Sequence, residues 1–318
     1  MMYRTFAILV FGLSLISPVY SGDSPEEREF RLAAAINDVE TMTRLLDKGV
    51  NVDSANKVGK TALMMAIEND NLEATALLLA RGADVNAETV ASCTPLTFAA
   101  ENGHDALTAM LLERGANIQA RTRAGWDAVM IAARYGYTDM VEQLLYKGAS
   151  TKVADKNGRT ALMHAAEKGH PETARLLLKE GAEIEARDNH GATALIIAAD
   201  AGHESMVDLL LDVGANIDAA DNDGATALIW AVGQGNLGAA EDLIYRGANV
   251  NQADADGVTA LMEAASVRSE DLVYLLLVNG ADHGKKDNRG RDAMSIAEKR
   301  RNKKVIELLQ EATKQTTE

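Results

Sequence analysis

The chain has 318 residues, with 32 Lys and Arg against 47 Asp and Glu, for a formal net charge of −15. Acidity of this size excludes a broad cationic surface for double-stranded nucleic acid, because the body would repel phosphate. Cys93 is the only cysteine, so no internal disulfide can form and stability has to come from packing.

The first segment reads as a leader. Arg4 precedes an apolar run from Phe6 to Ile16, and Ser17-Pro18-Val19-Tyr20-Ser21 follows. The run is too short to span a bilayer, and Val19 and Ser21 supply small residues at the −3 and −1 positions. These features predict a secretory signal over residues 1–21, cut after Ser21, with an uncleaved anchor as the competing reading. Export points to the periplasm or the extracellular space. Ser24-Pro25-Glu26-Glu27 then starts a helix: a capping Ser, Pro at the first helical position, and Glu three residues after the cap. Residues 22–58 are expected to form an N-terminal capping unit.

From there two ladders run in phase. Glycine recurs every 33 residues at Gly49, Gly82, Gly115, Gly148, Gly181, Gly214, Gly247 and Gly280, each after an apolar run such as Leu176-Leu177-Leu178. Thr-Ala-Leu or a variant recurs with the same period, from Thr61-Ala62-Leu63 to Asp292-Ala293-Met294. Alanine pairs follow, then Gly-His or a relative of it: Gly103-His104, Gly136-Tyr137, Gly169-His170, Gly202-His203, Gly235-Asn236. A period of this size marks a solenoid of stacked supersecondary units. Within one copy, Thr160 is placed to cap a short helix and Gly169 to end it. Thr173–Lys179 is placed to form a second helix, and Asp188-Asn189-His190-Gly191 to make a tight turn.

The unit resembles an ankyrin repeat, whose pattern is Gly-x-Thr-Pro-Leu-His, two alanines, Gly-His, a leucine-rich helix and Gly-Ala-Asp-x-Asn. The resemblance covers about residues 30 to 312. Two departures recur: Pro95 is the only proline kept at its motif position, and Met or Ile replaces the motif histidine in most copies, as at Met64, Met130, Met163, Ile196, Ile229 and Met262. The resemblance implies an all-α solenoid of helix-turn-helix repeats with β-hairpin tips. It has about seven full repeats over residues 59–289, and a C-terminal capping repeat and tail over 290–318. The histidines of the Gly-His step are implied to be structural.

The resemblance also implies a non-catalytic, monomeric scaffold that binds a protein on its concave face, through the hairpin tips and the exposed end of each first helix. The third repeat stands apart at these positions. It carries Arg123, Trp126, Arg134, Tyr135 and Tyr137, flanked by Glu101 and Asn102 before and Arg159 after. Trp, Tyr and Arg are the residues enriched in interface hot spots. Trp126 is either an anchor for a partner or packing against the neighbouring hairpin. Trp230, inside a first helix, is expected to pack between layers, and Cys93, beside a cap, to be exposed.

Charge is uneven. Residues 283–304 hold nine Lys or Arg against three Asp or Glu, whereas residues 22–282 hold 21 against 41. The acidic body admits attraction of a basic partner by electrostatic steering. The histidines, methionines and carboxylates follow the repeat period rather than a ligand spacing, so no metal, cofactor or catalytic constellation is expected. No phosphate-binding loop, nucleophile elbow or zinc-protease motif occurs. A second reading is an inhibitor or immunity-type protein that sequesters a basic secreted enzyme or toxin.

Overall fold

The computed structural model describes residues 24–315; the expected export signal lies outside them. The described residues form eighteen helices arranged as nine successive pairs. The first helices of the pairs are α1 (Pro25–Ala35), α3 (Ala62–Glu68), α5 (Pro95–Asn102), α7 (Ala128–Tyr135), α9 (Ala161–Lys168), α11 (Ala194–Ala201), α13 (Ala227–Gln234), α15 (Ala260–Val267) and α17 (Ala293–Arg300). The second helices alternate with them, from α2 (Val39–Asp47) and α4 (Leu72–Ala80) through α10 (Pro171–Lys179) to α18 (Lys303–Gln315). Each first helix packs on the next first helix, and second helices pack on their neighbours in the same layer, as α16 (Glu270–Val278) does on α18, which is a two-layer solenoid.

Local chemistry accounts for the helix bounds. The Thr or Asp that opens each first helix after α1 accepts a backbone N–H three residues on; Asp127 does so from Met130 at 2.8 Å. The glycine of the Gly-His step ends α5, α7, α9, α11 and α13 in the left-handed conformation. At Gly136 the backbone is left-handed and space is also short. A Cβ there would sit 2.6 Å from Nδ1 of His170 in the next repeat. His170 Nε2 in turn contacts the Arg134 carbonyl at 3.1 Å, and His203 contacts the Glu167 carbonyl at 3.0 Å. The glycine of one repeat and the histidine of the next are one device, which ties a helix end to the layer that follows.

The core is small and aliphatic. Ala132, Ala133, Ala165 and Ala166 are fully buried between first helices, where their lack of bulk lets the backbones approach. Leu144, Leu177, Leu210 and Leu243 fill the second layer. Met64, Met130, Met163 and Met262 are buried too, so the replaced motif histidine contributes apolar contact.

The tips depart from the expected β-hairpins. No strand forms among the described residues, and four tips are closed by single antiparallel bridges, as at Ala154 and Thr160. The cause lies in the turn. Asp155 Oδ1 accepts from the backbone N–H groups of both Asn157 and Arg159, at 2.8 and 2.9 Å, which folds the chain too tightly to extend a ladder. The remaining tip donors reach sideways. Lys156 N–H donates to the Ala124 carbonyl at 3.1 Å and Asn189 N–H to the Asn157 carbonyl at 2.9 Å, and the same bond recurs from Val90 to Asn288. Hydrogen bonds between repeats therefore run along the tips and set their spacing.

Candidate interaction surface

The first-helix layer and the tips form one face. Its centre is built from α7, α9 and the tips before them. Trp126 stands one residue before the cap of α7. Its indole lies against the imidazole of His164 on α9, with ring centroids 4.4 Å apart. The Arg134 guanidinium covers Trp126 at 5.4 Å from the ring centroid. Arg134 also donates to both Glu167 carboxylate oxygens at 3.4 Å. Glu167 Oε2 accepts from Arg159 Nη1 at 2.8 Å, and Lys168 Nζ lies 3.1 Å from Oε1. Arg159 Nε reaches Asp188 Oδ2 at 3.5 Å.

These side chains are half-covered rather than loose. Arg134, Arg159 and Glu167 keep 24, 32 and 26% of their side-chain surface exposed. Burial works against the Glu167 charge. Lys168, Arg134 and Arg159 outweigh it and hold the carboxyl below the usual range. Asp200, one repeat further along, is pushed up by burial, with Gln234 donating to it at 2.7 Å.

Under this surface His164 is buried, with Nε2 3.2 Å from Asp155 Oδ2, and Nδ1 has no partner. Two repeats on, Trp230 occupies the same register. Its indole N–H donates to Asp221 Oδ2 at 2.8 Å, and the ring is partly buried against the core, so its expected packing between layers is joined by a polar tether.

The eight residues singled out by sequence divide into groups. Arg134 and Arg159 converge on Glu167, and Trp126 joins them through Arg134. Tyr135 and Tyr137 stack on each other at 5.7 Å, near the turn between α7 and the second helix of its pair (Thr138–Tyr146). Tyr137 packs over Gly103, where a Cβ would meet its ring at 2.8 Å, so it takes the structural place of the repeat's histidine. Arg123 sits at a tip and donates to the Val90 carbonyl. Asn102 donates back to the Phe98 carbonyl at 2.8 Å, and burial, with the charge of exposed Glu101 added, pushes up the Tyr135 hydroxyl.

Both readings of Trp126 stay open, and the expected exposure of Cys93 needs correction. Trp126 is only partly exposed, because the apolar face of its indole gains His164 and Arg134 as covers. Cys93 is half-buried, and burial pushes its thiol up, away from the reactive thiolate. Three residues of the site, Glu167, Lys168 and His164, fall outside those eight. The signal for Glu167 was present, because it stands one period after Arg134 and two after Glu101. Among the described residues no group of three or more His, Cys, Asp and Glu could hold a metal, and no helix is long and apolar enough to cross a membrane.

A two-layer stack of short helices with one continuous face of tips and first helices defines a repeat solenoid of the interaction type. The chain belongs to the ankyrin repeat family: the family model "Ankyrin repeats (3 copies)" matches residues 30–122, 120–188, 185–254 and 239–318. Among solved structures, the crystal structure of the human ASB11 ankyrin repeat domain is similar in fold. It has a TM-score of 0.64 and 24% identity, and the match covers 69% of this chain and 98% of that one. No curated protein sequence matches the chain. Ankyrin repeats generally mediate protein–protein interaction, typically as non-catalytic scaffolds.

Proposed function

We propose that the protein is a monomeric, exported scaffold that acts in the periplasm or outside the cell and holds one protein partner on its concave face. On this reading residues 1–21 are a signal removed after Ser21, and residues 22–318 act as a single unit. One observation carries the reading: Trp126 is held between His164 and Arg134 while Glu167 gathers Arg134, Arg159 and Lys168. A rigid aromatic with its neighbours already oriented loses little entropy when covered, and that is the setting of an interface hot spot.

Affinity capture from a periplasmic extract, followed by mass spectrometry, tests it. A specific partner retained by the wild-type chain and lost by Trp126→Ala is the expected result. Equal retention by both chains would remove Trp126 as the anchor. The acidic body favours a second reading, an inhibitor that sequesters a basic secreted enzyme or toxin. That reading requires capture to be abolished at high salt.

A further inference from the structure

At the C-terminal end of the same face, α15 and α17 enclose a cavity of about 360 Å³. Its wall is apolar, from Val258, Met262 and Ile296. Its rim is cationic, from Arg268, Arg291, Lys299 and Arg300. Arg291 is neutralised by Asp287 Oδ2, at 2.7 and 2.6 Å, and Arg300 donates to the Ser266 hydroxyl at 3.0 Å. Among the described residues the side chains of Arg268 and Lys299 have neither an ion pair nor a hydrogen bond, and Arg300 has no carboxylate within ion-pair distance. One carboxylate, Glu263, lines the cavity without a hydrogen-bond partner among the described residues, and its burial together with Asp254 pushes it up.

These residues are where the repeat breaks its own pattern. The register of Glu263 is held by Met65, Phe98, Ile131, His164, Ile197 and Trp230 in earlier copies. The register of Arg268 is glycine in five successive copies, Gly103 to Gly235, and is held by Asn37, Asp70 and Arg301, also left-handed, in the first two copies and the last. Arg268 nonetheless keeps the left-handed backbone of those glycines, with φ 64°. An L-residue is strained there. The strain gains the helix nothing that glycine did not supply, while it places a guanidinium on the rim.

We infer that this cavity binds an acidic peptide segment of a partner, with a carboxylate set among Arg268, Lys299 and Arg300 and an adjacent apolar side chain against Met262 and Ile296. Charge complementarity selects this occupant. A polyanion such as nucleic acid or a lipid surface would meet the acidic body, where residues 22–282 hold 41 Asp and Glu against 21 Lys and Arg. A compact dianion such as phosphate would face Glu263 with no use for the apolar wall. The inference extends the docking reading of the concave face and stands on different residues from the Trp126 centre.

Fluorescence anisotropy of the full chain tests it, with two labelled eight-residue peptides, one alternating Glu and Leu and one alternating Gln and Leu. The acidic peptide should bind roughly 10-fold tighter than its amide counterpart. Arg268→Gly should weaken acidic-peptide binding about fivefold while the thermal midpoint stays level or rises, an outcome that a merely structural arginine would not give. Lys299→Ala should weaken it similarly, and Glu263→Gln should tighten it about threefold. Equal binding of the two peptides, or wild-type affinity in both Arg268→Gly and Lys299→Ala, overturns the proposal. So does displacement of the peptide by millimolar inorganic phosphate but not by chloride of equal ionic strength, which would assign the rim to a small anion. Trp126→Ala should leave acidic-peptide binding unchanged. A captured partner that binds Arg268→Gly and Lys299→Ala like wild type sinks the cavity and leaves the central site standing.

Discussion

At the centre of the concave face Glu167 is within reach of Arg134, Arg159 and Lys168, whereas at the C-terminal end Arg268 and Lys299 form no ion pair among the described residues. The same side-chain types thus occupy one surface in opposite electrostatic states. Paired charges hold one another in place and present little net field, so a partner can cover them without stranding an ion. Recognition at the centre then falls to the aromatic surface of Trp126. Unpaired cations call for a counter-charge, so recognition at the end is electrostatic and weakens with salt. The difference also has a structural sign: the centre is built from residues that support each other, and the end keeps Arg268 in a backbone conformation suited to glycine.

The largest effect that can break this comparison is on binding. Trp126→Ala should reduce affinity for a captured partner by about 2 kcal/mol, roughly 30-fold, measured by titration calorimetry. Arg268→Gly and Lys299→Ala should cost that same partner less than Trp126→Ala does. The reverse order would place the dominant anchor at the C-terminal end.

Next in size is a gain of stability. Arg268→Gly should raise the free energy of unfolding by roughly 1 kcal/mol in urea, because it relieves a left-handed L-residue. Part of the gain is offset by the extra freedom glycine gives the unfolded chain. At the centre a truncation should have the opposite sign: Arg134→Ala removes the cover of Trp126 and one partner of Glu167. A loss on Arg268→Gly would show that the arginine holds the repeat together.

Smaller again is the coupling within the central cluster. A double-mutant cycle on Arg134 and Glu167 should return about 0.5 kcal/mol, the scale of ion pairs that keep access to water. Their 3.4 Å contacts and partial exposure set that limit. Lys299→Ala should leave stability unchanged, since there is no partner to lose.

Much of this architecture was legible from the period alone. The Thr or Asp caps, the glycine ends and the alanine pairs each mark a position, and each recurs at the helix bounds observed. Two things were not legible. The resemblance implied hairpin tips and the residues themselves a tight turn, yet Asp155 and its equivalents take up the donors that a strand ladder would need. The central site was only partly visible for a related reason. A period tells which residues share a register, so it brought Trp126, Arg134 and Arg159 into view. It does not say how a side chain lies across the gap to the next repeat, so the seat of Trp126 on His164 was open. The departures from the period, Glu263 and Arg268 among them, mark the cavity between α15 and α17, but departures became a site only when α17 brought Lys299 and Arg300 to face them.

The smallest effect is a matter of sign with pH, and it separates the two regions directly. Glu167 has its folded pKa lowered, since Lys168, Arg134 and Arg159 outweigh burial, while the unfolded value is near 4.5. Its contribution to stability is therefore present above about pH 4.5 and is lost as the pH falls through the lower, folded value. Glu263 is the reverse case. Burial and Asp254 raise its pKa above 4.5 against the pull of Arg300 and Arg291, so the folded state holds the proton more tightly. Stability tied to Glu263 is full below about pH 4.5 and is lost as the pH rises through the higher, folded value. Glu167→Gln should thus destabilise the chain near pH 7 and make no difference once the pH is well below 4. Glu263→Gln should stabilise it near pH 7, and that gain should vanish on acidification. Urea midpoints of the wild type and both variants at the two pH values measure this. Two variants that move in the same direction at neutral pH would mean that the cations around the cavity already neutralise Glu263, and the contrast between a satisfied centre and an unsatisfied end would fail.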